Sequence, residues 1–157
     1  MEHRIEFVQL REIDLGEIAA HMSDVRLREH MPLLTSAWGA REARDFVIGK
    51  EKYWEKDGLG HWAILSDKAY VGWGGFQKEG DEWDYGLVLK PDSFGLGTAI
   101  FQKALAFAQA DERIDFMTFL LPLSRKKLGA LRRLGARPLG EVEYSGEAFL
   151  KFRLETT

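Results

Sequence analysis

Residues 84–99 read Asp84-Tyr-Gly-Leu-Val-Leu-Lys-Pro-Asp-Ser-Phe-Gly-Leu-Gly-Thr-Ala99. The first half is an apolar strand that stops at Pro91, because proline has no amide to give to a sheet ladder. Two glycines one residue apart, Gly95 and Gly97, then lead directly into a helix predicted over 97–110, whose buried stripe is Ala99, Ile100, Ala104, Leu105, Phe107 and Ala108. Glycine lets the backbone approach a ligand closely and adopt positive φ. The amides of Phe94, Gly95, Leu96, Gly97 and Thr98 would then lie at the positive end of the helix dipole, which suits a phosphate or pyrophosphate. The segment lacks the Gly-Lys-Ser/Thr of a nucleotide P-loop and the third glycine of a dinucleotide fingerprint. The plainer alternative is a tightly packed helix entry.

Outward from this segment, period-two runs at 61–65, 70–77 and 82–90 are separated by turns at 66–68 and 79–81, which predicts an antiparallel meander. Before it come a strand over 4–11, a helix over 15–22 capped by Asp14, a short helical piece after Ser23, and an apolar irregular stretch over 30–39. An amphipathic helix over 40–57 carries Ala43, Phe46, Val47, Lys50, Tyr53 and Trp54 and ends before Gly58. After the central helix come a buried strand over 115–121, a basic amphipathic helix over 124–134, and a hairpin of 139–143 with 147–154. Strands on both sides of a strand–loop–helix–strand unit predict a mixed sheet in an α+β, three-layer architecture.

With 157 residues the chain has room for one domain, 1–157. A hydrophobic content of 45% supplies a core, and a net charge of −3 gives no general attraction to nucleic acid, leaving only the basic stretch 125–137 as a local patch. The chain has no cysteine, which excludes disulfides, thiolate metal sites and a cysteine nucleophile. Its four histidines are scattered, so no metal site is expected. Without a basic, apolar leader or a long apolar run, cytoplasmic residence is the expectation.

Taken in order, a set of segments resembles the GNAT superfamily of N-acetyltransferases, in particular the branch of ribosomal-protein alanine acetyltransferases. The segments are Leu10-Arg-Glu-Ile-Asp14, Ala43-Arg-Asp-Phe46, Gly60-His-Trp-Ala-Ile64, Val71-Gly-Trp-Gly-Gly75, Asp84-Tyr-Gly-Leu-Val-Leu-Lys-Pro91, Phe94-Gly-Leu-Gly-Thr-Ala99 and Leu131-Arg-Arg-Leu-Gly-Ala136. The resemblance implies a mostly antiparallel sheet of about seven strands with helices on both faces, splayed between strands four and five. It also implies acetyl-coenzyme A as co-substrate. The pantetheine arm would run along the backbone of Gly86, Leu87, Val88 and Leu89 as an added strand, with an amide of Leu87 or Val88 polarising the thioester. The pyrophosphate would sit on Phe94 to Thr98, with Ser124 and Lys127 completing the cofactor side.

For the chemistry, the resemblance implies Asp84 as the group that takes the acceptor's proton, where many relatives carry a glutamate; the alternative is a solvated strand-end acid. Ser124 stands where relatives carry an asparagine and would donate to the leaving thiolate, or only cap its helix. The tyrosine that relatives place near the end of this helix is Leu131 here, which leaves Tyr85, Tyr53 and Tyr144 as other donors. Asp92 stands where relatives carry Gln or Arg. Arg125, Lys126 and Lys127 would meet coenzyme phosphates or form a solvated helix face. Met31, Leu34 and Trp38 are candidates for the acceptor wall together with Asp84, while Trp62 and Trp73 are expected in the core. His61 is expected to be surface-exposed or hydrogen-bonded rather than a base.

Without cysteine, the expected reaction is direct transfer to an amine, either a protein N-terminus or a small molecule. A homodimer is in keeping with the resemblance, and no nucleic-acid or membrane partner is expected. Two alternatives are a coenzyme-A-binding sensor that has lost catalysis, favoured by Leu131 and Asp92, and a nucleic-acid module built on 125–137.

Overall fold

A computed structural model describes residues 3–29, 31, 34, 36–123, 125 and 128–157. The chain runs β1 (Ile5–Val8), α1 (Leu15–Met22), α2 (Val25–Arg28), α3 (Ala40–Asp57), β2 (His61–Ser66), β3 (Ala69–Glu79), β4 (Glu82–Leu89), α4 (Gly97–Ala110), β5 (Phe116–Pro122), α5 (Gly129–Arg133), β6 (Arg137–Tyr144) and β7 (Glu147–Glu155). The strands form one seven-stranded sheet in the order β1-β2-β3-β4-β5-β7-β6. Every neighbouring pair is antiparallel except β4 with β5, which is parallel. This is the expected mixed sheet with helices on both faces.

Alternation along the strands divides the core in two. Trp62, Phe76, Trp83, Tyr85, Met117, Phe119 and Phe152 pack with Ala104 and Ala108 of α4. On the opposite face Ala63, Tyr70 and Trp73 pack with Ile18 and Met22 of α1 and with Ala43 and Val47 of α3. The small residues of α4 let it lie close on a sheet face crowded with rings. Ala99 is exposed and lies outside the predicted stripe, whereas Phe101 packs its ring against Tyr85 and Phe119. Helix α3 ends where Gly58, at φ 73°, gives its amide to the Trp54 carbonyl, a left-handed cap that favours glycine.

Three boundaries differ from expectation. The first strand stops at Val8, because Gln9 gives its amide to the Glu12 carboxylate and Glu12 returns its own to the Gln9 carbonyl, turning the chain. The segment Pro91–Leu96 is a 3-10 helix rather than an open loop; Pro91 presets its φ and the Ser93 amide bonds the Lys90 carbonyl. Among the described residues of the basic helix predicted over 124–134, Gly129–Arg133 are helical. Arg125 and Leu128 are not helical, and the Arg125 amide makes a turn bond to Pro122.

Candidate active site

The site begins where the sheet opens. Strand β4 pairs with β5 only at Trp83↔Met117 and Asp84↔Thr118. In an antiparallel ladder successive residues point their backbone groups alternately toward and away from the partner strand. Lys90 gives its amide to the Val71 carbonyl at 2.8 Å, and the carbonyls of Gly86 and Val88 press against Gly74 and Gly72, so the even-numbered residues of β4 face β3. The backbone groups of Tyr85, Leu87 and Leu89 therefore face the opening toward β5. Of the two amides considered for the thioester, Leu87's points into the cleft and Val88's into the sheet. Close approach of β3 and β4 depends on Gly74, since a Cβ there would stand 2.9 Å from the Leu87 Cα and still nearer the Gly86 carbonyl.

Asp84 lies at the last residue of the β4–β5 pairing. Its carboxylate accepts a hydrogen bond from Thr118 Oγ1 at 3.1 Å, across the parallel pair. Burial pushes its pKa up to about 7; the Thr118 donor works against this, and Glu79 and Glu82 add to it while Lys151 opposes. It is half-buried and hydrogen-bonded, not a solvated strand-end acid.

Directly opposite Asp84 on β3 is Gln77, whose Oε1 accepts from Lys50 Nζ at 3.0 Å and whose Nε2 donates to Glu79 at 3.0 Å. The Lys50 ammonium lies 4.9 Å from the ring centre of Trp73, 5.6 Å from Phe46 and 6.0 Å from Tyr53. Burial lowers its pKa to about 8, against the pull of Glu79 and Asp84. Trp38 extends this ring chain, at 5.1 Å from Phe46, which is 4.8 Å from Trp73. Met31 and Trp38 are half-buried at the edge of this face, and Trp38 is held through its backbone by Ser23 Oγ. Leu34 is buried in the α1–α3 core, so of the three wall residues it is the one that packs inward.

His61, at the start of β2, departs from its expectation. It is 7% exposed, and neither ring nitrogen has a hydrogen-bond partner among the described residues. Its ring lies 5.4 Å from Trp73, and a Cβ on Gly86 would be 3.7 Å from Cε1 and Nε2. Burial, then the Lys50 charge, holds its pKa well below the ordinary histidine value, so the imidazole is neutral. It is neither on the surface nor satisfied, and it borders the same stretch of β4 as Asp84.

Of the tyrosines, Tyr85 points to the α4 side, ringed by Phe76, Phe101 and Phe119. Tyr144 lies within electrostatic range of Tyr53, Glu79 and Asp84, on the acidic side of the sheet; burial first, and these groups next, raise its pKa. Leu131 packs against the α4-side core. Ser124, Lys126 and Lys127 lie outside the described residues, and Arg125 is exposed.

The glycine segment holds a correction and a fit. Neither Gly95 nor Gly97 has positive φ; Gly97 is helical at φ −55° and its amide is already given to the Phe94 carbonyl, so five free amides are not present. What the glycines provide is space: a Cβ on Gly95 would meet nothing within 4 Å, and one on Gly97 only Leu89 Cδ1 at 3.9 Å. The Asp92 carboxylate bridges Arg26 of α2 at 2.8 Å, and the guanidinium holds its pKa below the usual range. An open strand edge and an uncovered helix entrance, side by side, fit an extended thioester cofactor with a diphosphate. A cavity of about 320 Å³, lined by residues including Glu12, Glu17, Lys68 and Tyr70, is at the other end of β3 and takes no part. Among the described residues there is no cluster of metal-ligating side chains, and no helix is long and apolar enough to cross a membrane.

The family model for the acetyltransferase (GNAT) domain matches residues 4–137. The chain belongs to the GNAT acetyltransferase family. Solved structures agree with this GNAT fold at low identity. A protein assigned to the GNAT acetyltransferases from Bordetella pertussis is 18% identical, with a TM-score of 0.72 over 98% of this chain and 96% of that one. An acetyltransferase of Salmonella typhimurium that modifies the N-terminal serine of ribosomal protein L7/L12 is 14% identical, with a TM-score of 0.73 over 96% and 93%. A spermidine N-acetyltransferase chimera with a Vibrio cholerae parent is 11% identical, with a TM-score of 0.72 over 99% and 96%. No curated protein matches the sequence.

Lys50, Gln77 and Thr118 were not singled out as site residues from the sequence. Lys50 did carry a signal, as a lysine on the apolar stripe of α3. Gln77 and Thr118 carried none, because their roles come from strand register.

Proposed function

We propose that this GNAT domain transfers an acetyl group from acetyl-coenzyme A directly to a primary amine, with Asp84 taking the proton. The observation that carries the reading is the place of Asp84: a half-buried carboxylate with raised pKa, at the residue where β4 parts from β5 and its free edge begins. Acetyl-coenzyme A supplies the acetyl group as an activated thioester. On the chain's side, the exposed backbone of Tyr85, Leu87 and Leu89 would hold the pantetheine as an added strand, with the Leu87 amide donating to the thioester carbonyl. The surface over Phe94, Gly95, Leu96, Gly97 and Thr98 would take the diphosphate at the start of α4, with Ser124 and Lys127 as further candidates from the sequence.

An alkylammonium acceptor has a pKa near 10 and a peptide N-terminus one near 8, so a carboxylate at its ordinary value is about four to six units too acidic to be an effective base. Raising Asp84 to about 7 removes about three units of either mismatch, and Thr118 Oγ1 fixes the orientation of the carboxylate. Trp38, Met31 and the Phe46–Trp73 rings would wall the acceptor.

The test is thiol release from acetyl-coenzyme A across a panel of amines, with coenzyme A binding followed by calorimetry. Turnover that falls with Asp84→Asn while coenzyme affinity holds supports the reading. Binding without turnover on any amine would favour the sensor alternative, and Leu131, where relatives carry a tyrosine, is the observation in its favour. Gly95→Val, which fills the open space, should abolish coenzyme binding; unchanged affinity would remove this surface from the site.

A further inference from the structure

We infer that Lys50 selects the acceptor, and that the acceptor is a primary amine bearing a carboxylate a few bonds away rather than a polyamine. This rests on the acetyltransferase reading above and deepens it. The ammonium of Lys50 stands inside the proposed acceptor face, half-buried, bonded to Gln77 Oε1 and enclosed by the rings of Trp73, Phe46 and Tyr53. Among the described residues it has no carboxylate within 4.0 Å. Glu79 and Asp84 act on it only from beyond that distance, and each takes its hydrogen bond from a neutral donor, Gln77 Nε2 and Thr118 Oγ1, while Glu82 pairs with Lys151 at 2.6 Å. His61, whose ring lies 5.4 Å from Trp73, is neutral and adds no charge of either sign.

A cation taken partly out of water without an anion in contact is costly, and the aromatic faces, one amide oxygen and the more distant Glu79 and Asp84 carboxylates repay only part of that cost. A carboxylate entering this face would complete the pairing. A polyamine would bring a second ammonium beside the first, where the reduced dielectric strengthens the repulsion. The rings favour the charged form, and a pKa of about 8 leaves Lys50 mostly protonated at pH 7. Thus one face presents two functions side by side across the β3–β4 register: Asp84 for the amine and Lys50 for the anion. Two sources share this chemistry, a free amino acid and a peptide N-terminus with an acidic residue close behind.

The experiment compares kcat/KM for L-glutamate, its diamide, 1,4-diaminobutane, and two short peptides that differ only by Asp or Asn at the second position. In at least one of the two pairs the wild type should favour the carboxylate-bearing acceptor over its amide partner by about tenfold or more. Whichever source it uses, the glutamate or the peptide arm shows the preference. Lys50→Met should bring the ratio near one, and Lys50→Glu should turn the preference toward 1,4-diaminobutane. An unchanged ratio in Lys50→Met, or a wild type that prefers the diamine, overturns the inference while acetyl transfer stands. Calorimetric binding of the same acceptors to wild type and Lys50→Met decides the point without turnover: a carboxylate preference lost with Lys50 supports it, and equal binding refutes it. Coenzyme A affinity, measured in parallel on folded variants, reports separately on the acetyltransferase reading.

Discussion

The two faces of the β3–β4 ladder are built from alternate residues of the same two strands, yet they do opposite things. Phe76 and Tyr85, paired across the ladder, are buried under α4 in a cluster of rings. Gln77 and Asp84, the next pair, carry two adjacent polar sets, Gln77 with Lys50 of α3 and Glu79, and Asp84 with Thr118. One residue's displacement along a strand thus separates core from chemistry. The lesson is that the site needs the aromatic face behind it: the strands can part at Asp84 because packing under α4, not the β4–β5 ladder, holds that region together.

The largest effect should come from the aromatic face. Phe76→Ala removes a fully buried ring and should cost about 3–5 kcal/mol in urea unfolding. A loss below about 1 kcal/mol would mean that the α4 face is not the stabilising one. On the polar face, Asp84→Asn should leave the fold intact and reduce kcat by about a hundredfold, near 2.7 kcal/mol of barrier, with coenzyme affinity little changed. Equal losses of stability from the two variants would break the contrast between the faces.

The third effect is smaller and of opposite sign. Because the Asp84 carboxyl titrates higher in the fold than its ordinary value of 3.8, the folded chain favours its neutral form. That contribution is fully present below about pH 4 and is lost as pH rises through about 7. Asp84→Asn has no such loss, so it should be more stable than the wild type at pH 8 by about 1–2 kcal/mol after allowance for solvent screening, with a smaller gain at pH 5. The pH dependence of kcat/KM should rise through about 7 in the wild type, as the carboxylate forms, and flatten in the variant. A wild-type profile with no inflection there would remove Asp84 from the proton path.

Much of this was legible in the sequence because it depends on local signals. Pro91, Gly58 and the Ser145-Gly146 turn mark element ends, and period-two runs place β2, β3 and β4 to within a residue or two. The seven-stranded, mostly antiparallel sheet and its opening between β4 and β5 followed from the family resemblance, whereas the strand order came only with the structure. The finer site geometry was not legible. Thr118 lies 34 residues from Asp84 and meets it only through parallel register, and the burial of His61 depends on Trp73 and α3 packing over the start of β2. The glycine segment was misread in its mechanism: a Gly-x-Gly pattern suggests positive φ, whereas here the missing side chains leave open space over a 3-10 turn.

The smallest expected effect concerns Asp92, where the two faces meet the helix entrance. Its carboxylate bridges to Arg26, which also holds Asp24, so an exposed three-charge chain ties α2 to the 3-10 turn before α4. Exposed pairs of this kind contribute little to stability, and Asp92→Asn should leave the melting temperature unchanged within error. The same substitution removes a negative charge from the approach to the proposed diphosphate surface and frees Arg26, so coenzyme A should bind more tightly at low ionic strength. The gain should shrink as added salt screens it, since the Debye length falls to about 10 Å at 0.1 M. Weaker binding at low salt would mean instead that the bridge positions the 3-10 turn, making α2 a working part of the cofactor side rather than a neighbour of it.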